Sequence, residues 1–227
     1  MREGEPSPAL LGRLDALRSA GELAGGRVLL RNAAPLAFGD PTPWVEGADG
    51  LPLRLAPGGF AQSSPEGNRV LGSRVLEAAR ARSASPDARI FEMHAGAGNF
   101  SVLLAALTSR LDTFELSEPA TVAARANLAA RSLAAKVHVA AAERVELPNR
   151  LPLLVLDPPR EGARELVQHA REARVGALVY VSCEATSLAR DRAVLGEEYR
   201  LERLELFEMF PQTSHVETLA CFVRARP

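Results

Sequence analysis

Apolar positions change their spacing along this chain. In residues 9–20 the leucines fall at helical intervals, and the Gly-rich stretch 21–26 stops the pattern, so a short helix is expected there. An irregular stretch follows. Residues 27–31 read as a strand, and residues 35–59 hold most of the local Pro and Gly around two short strand candidates, 44–46 and 51–55. Helical spacing returns over residues 65–82 and breaks at 83–86. From residue 88 the pattern becomes regular: compact apolar runs at 88–94, 111–116, 136–140, 151–156 and 176–182, with helical segments between most of them. Short buried strands alternating with helices predict a doubly wound, mostly parallel α/β sheet. Residues 200–210 and 215–224 are strand-like with only a Pro-containing turn between them, which predicts an antiparallel hairpin at the sheet edge.

Bulk composition narrows the classes. With 227 residues, 47% of them hydrophobic, the chain can bury one substantial core with a small appendage. No run of about 18 to 20 apolar residues is present to cross a membrane, and Met1-Arg2-Glu3-Gly4 opens neither a signal peptide nor a lipidation motif, which predicts a cytoplasmic protein. Two cysteines with no CxxC spacing make no disulfide framework and no metal-ligand pattern, so no metal site is expected. Net charge is −1, which gives no long-range attraction to nucleic acid, and Lys136 is the only lysine among many arginines.

Five places along the sheet carry residue types suited to chemistry. The run Ile90-Phe91-Glu92-Met93-His94-Ala95-Gly96-Ala97-Gly98-Asn99-Phe100 takes a strand into Gly-x-Gly and then a helix, a geometry that lets backbone approach a nucleotide-like ligand. Glu115 ends the second strand, where a carboxylate can accept both hydroxyl hydrogens of a ribose; Glu118 nearby competes for that role. Asp157-Pro158-Pro159-Arg160 leaves the fourth strand, its prolines stiffening the exit toward the ligand edge. Cys183 ends the fifth strand near a helix start, where the helix dipole and arginines favour a thiolate. Cys221, on a late strand, reads as a small buried residue. Glu217, with His215 beside it, places an acid on the edge hairpin where it can serve as a general base.

Taken in order, these pieces resemble the RNA uracil-5-methyltransferase family, which modifies tRNA and ribosomal RNA. The resemblance runs from Phe60 to the C-terminus through Phe60-Ala61-Gln62, the glycine loop with Gly98-Asn99-Phe100, Glu115, Asp157-Pro158-Pro159-Arg160, Ser182-Cys183, Leu188-Ala189-Arg190-Asp191, and Phe210-Pro211 through Thr213 to His215-Val216-Glu217. It implies a class I methyltransferase domain over residues 65–227, preceded by a remnant of a central domain over 1–64. It implies S-adenosylmethionine held by Gln62, His94, Gly96, Gly98, Asn99, Glu115 and Asp157, with Cys183 as nucleophile and Glu217 as base. It also implies an RNA substrate contacted by Arg160, Arg190 and His215, with Arg164 as a further cleft cation and a protein partner as another means of gripping RNA.

The sequence departs from the family pattern in places. Glu184 and Ala185 stand where Asn-Pro is usual, Ser64 where Asn is usual, Glu92 for Asp, and His94 for an aromatic ring. A carboxylate at Glu184 turned inward would raise the Cys183 pKa. The RNA-binding β-barrel of full-length relatives is not in this sequence. Two other readings stay open: a cofactor-binding, RNA-associated module without turnover, and a methyltransferase of the same fold acting on another base or a small molecule.

Overall fold

The computed structural model describes residues 6–83, 85–213 and 215–225. Met1 to Gly4, Ala84 in the expected break and Ser214 within the last motif lie outside the described residues. The chain forms α1 (Pro8–Ser19), β1 (Gly25–Val28), β2 (Leu36–Gly39), β3 (Trp44–Glu46), β4 (Pro52–Arg54) and α2 (Pro65–Arg82). It continues with β5 (Ile90–Met93), α3 (Ser101–Leu104), β6 (Leu111–Glu115), α4 (Glu118–Ala129), β7 (Lys136–Val139) and β8 (Leu153–Leu156), and ends with α5 (Arg164–Glu172), β9 (Ala177–Ser182), α6 (Ala185–Leu195), β10 (Tyr199–Phe207) and β11 (Glu217–Arg224).

Seven of these strands make one sheet in the order β10-β11-β9-β8-β5-β6-β7. The five strands from β5 to β9 are parallel, and β11 runs antiparallel between β9 and β10. Strand order reverses on either side of β5, and at such a switch point the loops at the carboxyl ends of β5 and β8 part to leave a crevice. The mixed α/β class read from the sequence is therefore the class observed, and the antiparallel pair does lie at one edge.

Burial explains the compact apolar runs. Leu153 and Val155 pack on one face with Leu71, Val75 and Leu104, while Leu154 and Leu156 pack on the other with Leu166, Val167 and Tyr180. A strand covered on both faces cannot show polar alternation. Polar side chains placed before helices account for several boundaries. Ser7, Ser64 and Ser117 each accept a hydrogen bond from a backbone N–H in the first turn of α1, α2 and α4. Ser64, standing where Asn is usual, thus does the capping work that an Asn side chain would do.

The N-terminal third differs from expectation in detail. The strand expected at 27–31 is Gly25–Val28, and it pairs with Leu36–Gly39, which carries no alternation to announce it. Helix α1 forms where the leucine spacing predicts it, yet none of its residues is buried. By contrast the hairpin of β3 and β4 is tied to the main sheet. Arg131 forms an ion pair with Asp49, and Asn127 on α4 holds both the N–H and the carbonyl of Arg54 at 2.8 Å.

Candidate active site

At the carboxyl edge of the sheet lies a cleft of about 660 Å³, within the size range of small-molecule sites. One wall is the hairpin and the segment after it, through Val45, Leu53, Leu55, Phe60 and Gln62. The opposite wall and floor come from His94, Gly96, Glu115, Asp157, Arg160, Cys183 and Glu217. Residues 60–64 are drawn to the far edge by the Ser63 hydroxyl, which donates to the Met209 carbonyl at 2.7 Å.

The glycine loop is shaped by its backbone. His94, Gly96 and Gly98 all have positive φ (58°, 56° and 86°), so the chain turns sharply as it leaves β5. Gly96 faces the cleft with open space beside it. Gly98 instead backs onto α4, where an added Cβ would sit 3.2 Å from the Ala124 Cβ and 3.3 Å from its Cα, so it shapes the loop without lining the cleft. Glu115 braces the turn: its carboxylate accepts from the Gly96 N–H at 2.9 Å and the Ser117 N–H at 2.8 Å. Each oxygen keeps a second lone pair, so the carboxylate can still accept from a ribose. Glu118, the competing acid, lies in the first turn of α4 and does not line the cleft.

Asn99 also lines the cleft, but its amide is engaged by protein. It accepts from the Ala48 N–H at 3.0 Å and from Asn68 at 3.1 Å, and donates back to Asn68 at 2.7 Å. Neither Asn68 nor Asn127 stood out in the sequence. An Asn inside an otherwise good helix pattern, buried on its apolar face, is the signal that would have marked both, since such a residue needs partners.

Antiparallel register builds the reactive end. Thr218 of β11 pairs with Ser182 of β9, so Glu217, one residue before Thr218, and Cys183, one residue after Ser182, come together where the ladder ends, near enough for the Glu217 charge to act on the thiol. Glu217 is 3% exposed, and its Oε2 has no hydrogen-bond partner. Burial raises its pKa. Burial, then the Glu217 charge, also push the Cys183 thiol up; Arg160 pulls the other way, and Asp157 adds to the rise. The resting site thus departs from the stabilised thiolate expected of a cysteine at a helix start. Glu184 is not the cause. Its side chain turns outward to cap α6, accepting from the Thr186 N–H at 3.2 Å and hydroxyl at 2.7 Å.

The three residues read as RNA contacts separate. Arg160 and His215 line the cleft, and His215 meets Phe210 edge-on at 6.2 Å between ring centres. Arg190 does not line it. Its guanidinium is held by Asp191 at 2.9 and 3.0 Å and by the Glu161 carbonyl. A sequence shows that an arginine is near a loop but not which way it faces. Arg164, on the first turn of α5, is exposed and also outside the cleft lining.

Buried acid gathers at the ligand edge. Glu92, 2% exposed, accepts from the Ser101 hydroxyl at 2.5 Å, and burial raises its pKa to about 8; the charges of Asp157 and Glu115 add to this. Asp157 is likewise raised to about 8, by burial and then by Glu217. Burial lowers the His94 pKa, and the His94 Nε2 and Gln62 Oε1 have no partners among the described residues. In the unfolded chain Glu92 ionises in the ordinary carboxylate range, whereas in the fold it holds its proton to about pH 8. Its contribution to stability is therefore full in acid and is lost as pH rises through about 8, at up to about 1.4 kcal/mol per pH unit. The melting temperature of the unliganded protein should fall between pH about 5 and about 8, and Glu92→Gln should flatten that fall. An equally steep fall in the variant would place the proton elsewhere.

Among the described residues no helix is long and apolar enough to cross a membrane, and no cluster of three His, Cys, Asp or Glu could hold a metal.

With this geometry in place, the chain can be set beside known proteins. A family model described as tRNA (Uracil-5-)-methyltransferase matches residues 150–225, which carry Asp157, Arg160, Cys183 and Glu217. The chain is 35% identical over 189 residues to a 23S rRNA (uracil(1939)-C(5))-methyltransferase of Shewanella sp. (strain ANA-3), covering 80% of this chain and 41% of that protein. The namesake enzyme of Cupriavidus necator is 36% identical over 191 residues, covering 77% and 43%. Among solved structures, the Pyrococcus abyssi tRNA (uracil-54, C5)-methyltransferase in complex with S-adenosyl-L-homocysteine aligns with a TM-score of 0.69 and 27% identity, over 83% of this chain and 46% of that one. The M. jannaschii TYW2 structure, at TM-score 0.58 and 16% identity, shares the fold over 85% of this chain and 90% of its own. The chain spans about two fifths of the length of the curated relatives it matches. Within that span, the chain is similar to RNA uracil-5-methyltransferases.

Proposed function

We propose that this chain carries the S-adenosylmethionine-dependent methylation of carbon 5 of a uridine in tRNA or rRNA, in the cytoplasm, through a covalent cysteine–uracil adduct. The observation that carries the proposal is that Glu217, at the start of β11, and Cys183, just past the end of β9, line one cleft together with His94, Gly96, Glu115 and Asp157.

The cleft suits the cofactor. Gln62 Oε1 and His94 Nε2 offer unpartnered polar atoms, and Glu115 has lone pairs left for a ribose. Glu92 and Asp157, both pushed up to about 8, would gain from a cationic ligand. When bound, S-adenosylmethionine supplies an electrophilic methyl group on a sulfonium.

The chain's own residues do the rest. Uracil carbon 5 is a weak nucleophile. The Cys183 thiolate adds through Sγ to carbon 6, and the electron pair of the 5,6 double bond moves to carbon 5 and its enolate oxygen. Carbon 5 then takes the methyl group. Glu217 accepts the carbon 5 proton, the double bond re-forms, and Cys183 leaves as thiolate. Arg160 stabilises that thiolate against the charges of Glu217 and Asp157. The target base must be unstacked to reach Cys183, so single-stranded or extruded uridine is the acceptor. Grip on the remainder of the RNA falls to Arg160 and His215 at the mouth, and to a partner protein beyond them.

The test is incubation with 5-fluorouridine-containing RNA and S-adenosylmethionine. Fluorine in place of the carbon 5 proton blocks the Glu217 step, so a protein–RNA adduct should survive a denaturing gel and be absent from Cys183→Ala. Cofactor binding with no adduct would favour the module without turnover or another methyl acceptor.

A further inference from the structure

Helix α6 begins two residues after Cys183, behind the Glu184 cap, and sends three side chains back to the loop that follows Asp157. Ser187, Arg190 and Asp191 fall at i, i+3 and i+4, which places them on one helix face. Each takes a backbone group of residues 160–163. The Ser187 hydroxyl donates to the Arg160 carbonyl at 2.6 Å, Arg190 donates to the Glu161 carbonyl, and the Ala163 N–H donates to Asp191 Oδ2 at 2.6 Å. Asp191 is fully buried and is itself fixed on two more sides, by the Tyr180 hydroxyl at 2.8 Å and by the Arg190 guanidinium. Charge-assisted bonds of this kind are the stiffer ones in a protein.

The loop is cut to fit the helix. Gly162 has φ +80°, and an added Cβ would lie 2.5 Å from Asp191 Oδ2, 2.7 Å from Arg190 Nη2 and 3.1 Å from the Ser187 Cβ. No side chain fits between loop and helix at that point.

We infer that Ser187, Arg190 and Asp191 form a positioning latch that fixes Arg160 relative to Cys183. This rests on Cys183 being the nucleophile. The helix that starts just past the nucleophile also holds the loop carrying the opposing cation, so one rigid element sets the distance between them. The groups acting on the thiol come from two directions: Glu217 from β11, and Asp157 and Arg160 from the end of β8. Of these only Arg160 is cationic, and its backbone carbonyl is the one the latch takes. Ser187, Arg190 and Asp191 do not touch the cleft, so they act through Arg160 and not on substrate.

Thiol titration tests the latch without RNA or cofactor. Cys183 alkylation by iodoacetamide is followed against pH by peptide mass spectrometry, which separates it from buried Cys221, in wild type, Arg160→Gln, Ser187→Ala and Gly162→Ala. Loss of the held cation should slow alkylation near pH 8 about threefold in each variant, with the whole profile displaced to higher pH. Ser187→Ala combined with Arg160→Gln should be no slower than Arg160→Gln alone. Should Gly162→Ala fail to fold, Ser187→Ala and Tyr180→Phe remain. Unmoved profiles in the latch variants beside a displaced one in Arg160→Gln would overturn the inference, as would full additivity in the double variant. Absence of methyl transfer in a separate assay would count against the proposed reaction and leave the titration result standing.

Discussion

Glu217→Gln is expected to slow turnover, read as release of free methylated RNA, by a factor of about 10² to 10⁴, the usual worth of a positioned general base. The substitution keeps the shape of a buried, 3% exposed side chain but removes its capacity to accept a proton. Addition of Cys183 to carbon 6 and methylation of carbon 5 come before the step that fails. The variant should therefore accumulate a methylated protein–RNA adduct on ordinary RNA, with no fluorine needed. Single-turnover assays with labelled methyl groups, resolved on a denaturing gel, read both quantities at once. Slow turnover without adduct would mean that Glu217 acts before the methyl transfer, and near-normal turnover would move the base to Asp157, the other cleft carboxyl acting on Cys183.

The register behind that prediction also marks what the sequence could and could not reveal. Leu153–Leu156 and Ala177–Ser182 are buried throughout, and nearly all apolar, because helices cover both faces, and such runs are readable without a partner. From them follow the parallel sheet and the placing of Asp157 and Cys183 at strand ends. Glu217 was recognisable as an acid on an edge hairpin, but only the pairing of Thr218 with Ser182 sets it beside the nucleophile instead of across the cleft. Orientation was invisible in the same way. Glu184 faces outward as a cap and Arg190 faces a loop carbonyl, and each choice depends on partners supplied by the fold. Positive φ at His94 is a further case: a glycine loop signals a sharp turn, but not that its first strained position is filled by a histidine.

Long in sequence reach, and so hard to read in advance, is the clasp at Asn127. Its amide accepts from the Arg54 N–H at 2.8 Å and donates to the Arg54 and Ala97 carbonyls, both at 2.8 Å, from a side chain only 2% exposed. One residue of α4 thereby joins β4, which supplies the Leu53 wall of the cleft, to the glycine loop on the opposite wall. Asn127→Ala leaves those three backbone groups without their partner and opens space in a packed helix face. Unmade buried hydrogen bonds cost about 1–3 kcal/mol each, partly relieved where water enters, so a loss of about 2–4 kcal/mol in unfolding free energy is expected. Denaturant titration checks it. Because the clasp spans the nucleoside end and not Cys183, S-adenosylmethionine binding by calorimetry should weaken about tenfold while the pH profile of Cys183 alkylation stays in place. Asn127→Asp, which keeps the acceptor for Arg54 but faces both carbonyls with a charge, should be no better than alanine. A stable Ala variant with unchanged cofactor affinity would show that the hairpin is held by the Arg131–Asp49 pair and by Asn68–Asn99 without this clasp.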